Sequence, residues 1–318
     1  MNESIIREAP LVYLVMLNFN GRDHLEYSLP SVMNTVYENY RLIVVDNASA
    51  DDSVAHIQRN YQKVQLIVNQ KNRGWAGGNN DGIKYAIAKG AKYIVLINND
   101  ILIHPDWITN AVTVAEKTPN VGAIGFRGLS LHRERKELEE AIVLSPPLTF
   151  EEADFITGWA LFVRATTFKH LGLIDEGYGS FGEEVDFERR LRMAGYRMVR
   201  LNTPLCHYSG GSFSKYPVKA AYLTIRNSIR MELKFADIGA AFRRMKSIVN
   251  RIRAGRVDLP LDRGFFYANI FVPKTRVFSL LILGYSVLWN LLNLPVTLIA
   301  GARDYRRAIQ ARELVGTE

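Results

Sequence analysis

From the amino end, apolar residues gather into short β-branched runs that alternate with longer stretches of helical periodicity. Residues 11–17, 42–45, 64–68 and 93–97 are rich in Val, Ile and Leu, and recur at intervals of roughly 20–30 residues, which suits βα units. Between them, residues 23–36, 51–61, 76–88 and 106–116 read as helices, the last opening after His104-Pro105 in the manner of an N-terminal cap. A fifth apolar stretch, 121–126, follows. Runs without polar alternation belong to strands covered on both faces. The pattern therefore predicts an α/β fold, a mostly parallel sheet flanked by helices, with a ligand crevice at the carboxyl edge of the strands.

Residues 127–152, containing Arg133-Glu134-Arg135-Lys136 and Pro146-Pro147, read as a charged connection, or in a sharper reading as a flap over the crevice. Beyond residue 212 the texture changes. Residues 220–235 and 240–253 have the spacing of basic amphipathic helices, and residues 277–301 run for 25 positions without a formal charge. That length meets the threshold for a spanning helix, but Asn290, Asn293 and Pro295 interrupt it. The reading adopted is an in-plane or re-entrant helix, anchored by Tyr285, Trp289 and the flanking Lys274, Arg276, Arg303, Arg306 and Arg307. Its alternative is a hairpin buried against the main domain or against a second copy of the chain in a homo-oligomer.

Composition sharpens this division. The chain has 318 residues, 48% of them apolar, which is ample for a large core. Its net charge of +8 is uneven: residues 1–211 hold 22 Lys+Arg against 25 Asp+Glu, and residues 212–318 hold 18 against 7. The basic character belongs to the tail, where anionic lipid or diphosphate-bearing molecules are candidate partners. Nucleic acid is not expected, because no RNP-like, zinc-finger or KH signature is present. The single cysteine, Cys206, excludes an intramolecular disulfide and any CxxC site. Residues 1–10 lack a basic-then-apolar signal pattern, so export by that route is not expected.

Four predicted strands end in polar or glycine-rich clusters that share one edge of the sheet: Asn18-Phe19-Asn20-Gly21, Asp46-Asn47-Ala48-Ser49, Asn72-Arg73-Gly74-Trp75-Ala76-Gly77-Gly78-Asn79-Asn80 and Asn98-Asn99-Asp100. One such cluster is an ordinary turn; four at one edge make a site. Asp46 at a strand end suits hydrogen bonds from a ribose or nucleobase edge. Gly74 to Gly78 lets backbone approach a ligand, and Arg73 suits a phosphate or base. A lone carboxylate at Asp100 suits Mg2+ or Mn2+, which keeps oxygen ligands from water and substrate phosphates; the plainer reading is an Asx turn or helix cap. In the second half, Glu183, Glu184 and Asp186 crowd three carboxylates into four positions, as helix caps or as a general base of raised pKa. His207 precedes the turn Ser209-Gly210-Gly211-Ser212, as a structural histidine or as part of a metal or diphosphate shell.

Taken in order, these segments together with Gly158-Trp159-Ala160-Leu161-Phe162-Val163-Arg164 resemble the family 2 glycosyltransferases, and in particular their rhamnosyltransferase-like branch in bacterial cell-surface polysaccharide assembly. The resemblance covers about residues 11–235. It implies a GT-A fold, a nucleotide-diphosphate sugar donor (dTDP-rhamnose or a UDP-sugar), a divalent cation and inversion at the anomeric carbon. It implies a catalytic domain at 1–211, its nucleotide-sugar half at about 11–126 and its acceptor half at about 150–211, followed by a membrane-associating region at 212–318. Asp46 then holds the nucleoside, with Asn18, Asn20, Asn47, Arg73, Gly74, Gly78, Asn98 and Asn99 around the donor. Asn98-Asn99-Asp100 stands where many members have Asp-x-Asp, so Asp100 inherits the metal role, with His207 beside it. Glu184 matches the base, with Glu183 and Asp186 as alternatives, and Trp159 matches the acceptor-side wall. The implied acceptor is a polyprenyl-diphosphate-linked or other glycan, met at the cytoplasmic face of a membrane. The other functions weighed are a nucleotidyltransferase of similar βα architecture and a non-catalytic nucleotide-sugar-binding protein; the former lacks its usual glycine-rich basic signature near the first strand.

Overall fold

The computed structural model describes residues 9–131, 134–144, 147–208, 217–253 and 276–315. The Ser209–Ser212 turn and the extreme N-terminus lie outside the described residues, as do parts of the proposed flap.

The predicted βα succession is present as β1 (Val12–Asn18), α1 (Arg22–Met33), β2 (Tyr40–Asp46), α2 (Ser53–Asn60), β3 (Gln65–Val68), α3 (Gly74–Ala88) and β4 (Tyr93–Asn98). Next come β5 (Ile101–Leu102), α4 (Trp107–Lys117), β6 (Val121–Ser130), α5 (Arg135–Leu144) and β7 (Phe150–Glu152). The stretch 127–152, read from its charge as a connection, thus carries the end of a long strand, a helix and a short strand. Its charged residues line the solvent side of α5, where only Leu138 is buried. The second half adds β8 (Ala160–Arg164), α6 (Ala165–Leu171), α7 (Glu183–Met193) and β9 (Arg197–His207). Four helices close the chain: α8 (Pro217–Lys234), α9 (Ile238–Arg253), α10 (Arg276–Leu292) and α11 (Leu294–Val315).

The strands form one sheet in the order β3-β2-β1-β4-β8-β6-β9-β5, with β7 paired to β9. β3, β2, β1 and β4 run parallel; β8 is antiparallel to both of its neighbours. Register places the polar strand ends level, with Asn18 opposite Asp46 and Leu17 opposite Asn98. Successive side chains of β1 point to opposite faces. Val12, Leu14 and Met16 join one core with Leu25, Leu29 and Trp107. Tyr13 and Val15 join the other, with Ile83 of α3 and Phe187 and Leu191 of α7.

Helix α11 belongs to that second core. Its Ala308, Ala311 and Val315 pack with Phe168, Leu171, Leu191 and Ala194. The boundary expected at 211/212 is therefore not a packing boundary: the chain's last helix completes the core of its first half. A charge cluster seals the junction. The Lys234 ammonium lies 2.8 Å from Asp175, 2.6 Å from Asp186 and 2.7 Å from Asp304. Arg190 pairs with Asp186 at 2.9 Å and Arg230 with Asp175 at 3.2 Å. Burial alone would raise the Asp175 carboxyl, but Lys234 and Arg230 outweigh it and hold that carboxyl well below its ordinary range. The three aspartates converge as metal ligands would, yet the ammonium already occupies their shared centre.

Among the described residues, no single helix is long and apolar enough to cross a membrane. The charge-free run divides at Asn293 into α10 and α11, bent by 65°. Pro295 falls in the first turn of α11, where its missing N–H costs no helical bond. One face of α10 packs with α8 and α9 through Ile282 and Leu283. The other carries Leu281, Leu288 and Leu291, which are 64%, 51% and 60% exposed.

The α8–α11 junction is tight enough to test. A Cβ at Gly301 would overlap the Lys234 carbonyl, so Gly301→Ala should lower stability by about 1–3 kcal/mol in a urea titration. Gly284→Ala, where a Cβ meets nothing within 4 Å, should leave the midpoint unchanged or slightly raised.

Candidate active site

The strand-end clusters meet as one hydrogen-bonded network. Asn18 donates from Nδ2 to Asp46 Oδ2 at 2.9 Å and accepts from Asn99 Nδ2 at 2.6 Å. Asp46, fully buried, also accepts from the Ser49 backbone N–H at 2.9 Å and the Ser49 hydroxyl at 2.7 Å. A carboxylate accepts about four hydrogen bonds, so most of this one is spent on shaping the loop. Asn20, left-handed at φ 49°, accepts from the Ala50 N–H at 2.7 Å. Asn47 donates to Asn72 Oδ1 and the Gly74 carbonyl and accepts from the Asn69 amide and the Arg73 N–H.

Three residues expected at the donor have structural tasks. The Arg73 guanidinium is held by Asp81 at 2.5 Å and Glu176 at 3.0 Å, so it ties α3 to the 172–182 loop instead of standing open to a phosphate. Gly78 is buried, and a Cβ there would run into Leu17. Its small size lets α3 lie close on β1, as Gly82 does against Val15. Gly74, at φ 70°, allows the start of α3 to approach the Gly179 carbonyl.

Asp100 and His207 are brought together by β5 and β9, which pair antiparallel with Ile101 opposite His207. The carboxylate Oδ1 of Asp100 lies 3.1 Å from His207 Nε2. Asp100 is only 7% exposed, and this oxygen has no hydrogen-bond partner of good geometry among the described residues. A buried carboxylate oxygen left unsatisfied beside an imidazole nitrogen is costly without a further partner. A hard divalent cation accepts both atom types, so the donor set fits one. Asn98 Nδ2 sits 3.4 Å from the same His207 nitrogen, and the Trp159 indole stacks on the imidazole at 5.0 Å with an interplanar angle of 8°. Trp159, expected on the acceptor side, is thus buried as a support for His207.

Helix α7 brings the acidic cluster up to Gly158, beside Trp75. The Trp75 N–H donates to Asn98 Oδ1 at 3.3 Å, and a Cβ at Gly158 would lie 3.4 Å from the Trp75 ring and 3.5 Å from the Glu184 side chain. Trp75 and Gly158 therefore bridge from Asn98 to Glu184. Among the three expected carboxylates, Asp186 is committed: fully buried, it bonds Arg190, Lys234 and the Tyr178 hydroxyl. Its oxygens are taken up by these three partners, which leaves none turned toward an acceptor. Glu183 is raised well above its ordinary value by burial and then by Glu184, and Glu184 is raised by burial. At 9% exposure Glu184 is the more open of the two, against 3% for Glu183. Sequence reasoning missed Trp75 as a bridge and Glu188 as a third carboxyl. Trp75 lies inside the third strand-end cluster, and Glu188 closes the same acidic run as Glu183, Glu184 and Asp186 without a role having been read for it.

Residues 13–169 match glycosyl transferase family 2, so the chain carries a domain of that family. The match takes in the strand-end network, Asp100 and Trp159 and stops before Glu183 and His207. The succinoglycan biosynthesis protein ExoO of Rhizobium meliloti is 25% identical over 86% of this chain and 78% of its own length. WfgD of Escherichia coli, named as a UDP-Glc:alpha-D-GlcNAc-diphosphoundecaprenol beta-1,3-glucosyltransferase, is 28% identical over 31% of this chain and 37% of its own length. The chain spans 37% to 54% of the length of several such curated relatives. Among solved structures, the mannosyltransferase PcManGT of Pyrobaculum calidifontis, in complex with GDP-Man and Mn2+, superposes with a TM-score of 0.53 at 16% identity, over 95% of this chain and 87% of that one. At that identity the likeness speaks for the fold, which is of the GT-A type.

Glu188 offers a test of the local electrostatics. It is fully buried, accepts the Ile156 N–H at 2.8 Å, and is raised well above its ordinary value of 4.5 by burial and by Glu184. A carboxyl raised on folding contributes stability that is fully present below its unfolded pKa and is lost as pH rises through the folded value. Glu188→Gln keeps the acceptor without the charge. Its denaturation midpoint should match or exceed the parent's at neutral pH, and the advantage should vanish below the ordinary glutamate value.

Proposed function

We propose that this chain is an inverting, metal-dependent glycosyltransferase that moves a sugar from a nucleotide-diphosphate donor to a lipid-linked glycan acceptor. The observation that carries the reading is the unsatisfied Asp100 oxygen beside His207 at the carboxyl ends of the strands, with the Glu184 carboxylate reached from it across Trp75 and Gly158. Asp100 and His207 would hold Mn2+ or Mg2+, which supplies charge stabilisation for a departing diphosphate. Asn18, Asn20, Asn47 and Asn99 shape the donor loop, with Asp46 at its centre. Glu184 takes the proton from the acceptor hydroxyl as that oxygen attacks the anomeric carbon; the carbon–oxygen bond to the diphosphate breaks, and the diphosphate leaves with its electron pair. Inversion follows from a single displacement.

The donor classes that best suit this reading are dTDP-rhamnose, UDP-sugars and GDP-mannose, the last because the mannosyltransferase of similar fold carries it. A lipid-linked acceptor is supported by the WfgD relative, whose name includes a diphosphoundecaprenol. Turnover of these donors with Mn2+ provides the test. Chelation should abolish it; the parent's melting temperature should rise with Mn2+ in the presence of nucleoside diphosphate, and Asp100→Asn should remove that rise. Glu184→Gln should lose about 10²–10⁴-fold in kcat while still binding nucleotide. The parent's rate should climb with pH through a limb above the ordinary glutamate value of 4.5, because burial holds the base protonated longer. Unchanged turnover in Glu184→Gln would sink the base assignment.

The outer face of α10, followed in the chain by Arg303, Arg306 and Arg307 on α11, suits peripheral attachment to an anionic membrane at its cytoplasmic face. Removing 277–318 would strip core residues of α11, so point changes are the sharper probe. Leu281→Glu with Leu288→Glu should abolish sedimentation with phosphatidylglycerol vesicles while leaving the melting temperature near that of the parent.

A further inference from the structure

The backbone that delivers Glu184 is held in a disfavoured shape by a side chain from the C-terminal helices. Immediately before α7, Phe181 and Gly182 are both left-handed, at φ 71° and 94°. Glycine adopts this region freely; phenylalanine, with its β-carbon, does not, and such a residue persists only where its surroundings over-determine it. Asn227 of α8 is that constraint. Fully buried, it aims Nδ2 at three carbonyls of the preceding loop, those of Tyr178 at 3.1 Å, Ser180 at 2.8 Å and Phe181 at 2.7 Å. Three acceptors around one nitrogen also fix which way the amide faces, and its Oδ1 accepts from Arg226 Nε at 2.8 Å. Arg226 reaches the same Tyr178 carbonyl at 2.5 Å. Its own carbonyl accepts from Asn290 of α10, and its guanidinium lies 4.4 Å from the Trp289 ring centre.

We propose that Asn227 is a positioning residue for Glu184: by gathering the carbonyls of Tyr178, Ser180 and Phe181 it holds the left-handed turn from which α7 presents the carboxylate. The proposal rests on the reading of Glu184 as the base. It gives the C-terminal helices a part in the chemistry beyond attachment, since the turn is tied to α8 and α8 is braced by α10. Among the described residues Asn227 makes no bond to Asn18, Asp46 or Asn99, although the turn it holds meets the start of α3 at Gly179.

The test uses the full chain with Mn2+ and whichever of UDP-glucose, GDP-mannose or dTDP-rhamnose the parent turns over. In Asn227→Ala, kcat should fall by about tenfold to a hundredfold, as misplacement of a reacting group does, while KM for the donor stays within about twofold. Phe181→Gly, added to Asn227→Ala, should restore much of kcat, because glycine adopts φ near 71° without the steric cost that phenylalanine bears. Retention of parental kcat by Asn227→Ala would overturn the proposal. So would a parallel loss of kcat and donor affinity that Phe181→Gly does not repair, which marks a merely structural residue. Glu184→Gln serves as the control. If it keeps parental turnover, the base reading fails and the proposal falls with it; if it is inactive while Asn227→Ala is fully active, the positioning role alone fails.

Discussion

A buried ammonium has to be neutralised where it lies, and Lys234 meets that requirement by gathering carboxylates from three separate parts of the chain. Asp175 precedes α7, Asp186 lies within it and Asp304 belongs to α11. Removing any one partner would leave charge stranded in a low-dielectric interior, a penalty of about 3–5 kcal/mol for buried pairs. The cluster therefore fixes the mutual placement of α7, α8 and α11 more strictly than apolar contact would, because ionic geometry is specific where packing of alanines is tolerant. Everything on α7 inherits that placement, including Glu183, Glu184 and Glu188.

The opposite wall of the crevice is organised by register. Once β1 pairs with β2 and β4, Asn18, Asp46 and Asn98 must emerge at one edge. Asn18 then bonds Asp46 and Asn99, whereas Asn98 turns to Trp75 and His207. Gly21 leaves room for this, since a Cβ there would collide with the side-chain amides of Asn99, at Nδ2, and Asn18, at Oδ1. Asp100 is held among these groups with one oxygen uncommitted. Asp46 is spent on Asn18 and Ser49, so among these pre-organised groups Asp100 is the carboxylate left for a cation.

Much of this was legible in the chain. Uninterrupted β-branched runs announced four parallel strands, and the polar residues that end them announced a shared edge, because strand polarity follows directly from local sequence. The stretch 127–152 misled, since charge on the solvent side of a helix and on a loop look alike when only one residue, Leu138, faces inward. Arg73 and Asp186 were legible as charges and not as partners. Nothing local distinguishes an arginine open to phosphate from one held by Glu176, about a hundred positions away.

By itself, then, the sequence determined the βα order, the polar edge of the sheet and the residue types that could carry chemistry, all of which depend on periodicity and on neighbours within a few positions. Tertiary structure alone decided which of those residues remain free to act. It committed Asp186 to Lys234, set Trp159 against His207, and left Asp100 Oδ1 without a hydrogen-bond partner among the described residues. It also returned α11 to the core of the first domain, across a division that charge and hydropathy had suggested. The reason is that the availability of a side chain is set by contacts between residues far apart in the chain, and those contacts exist only once the elements have packed.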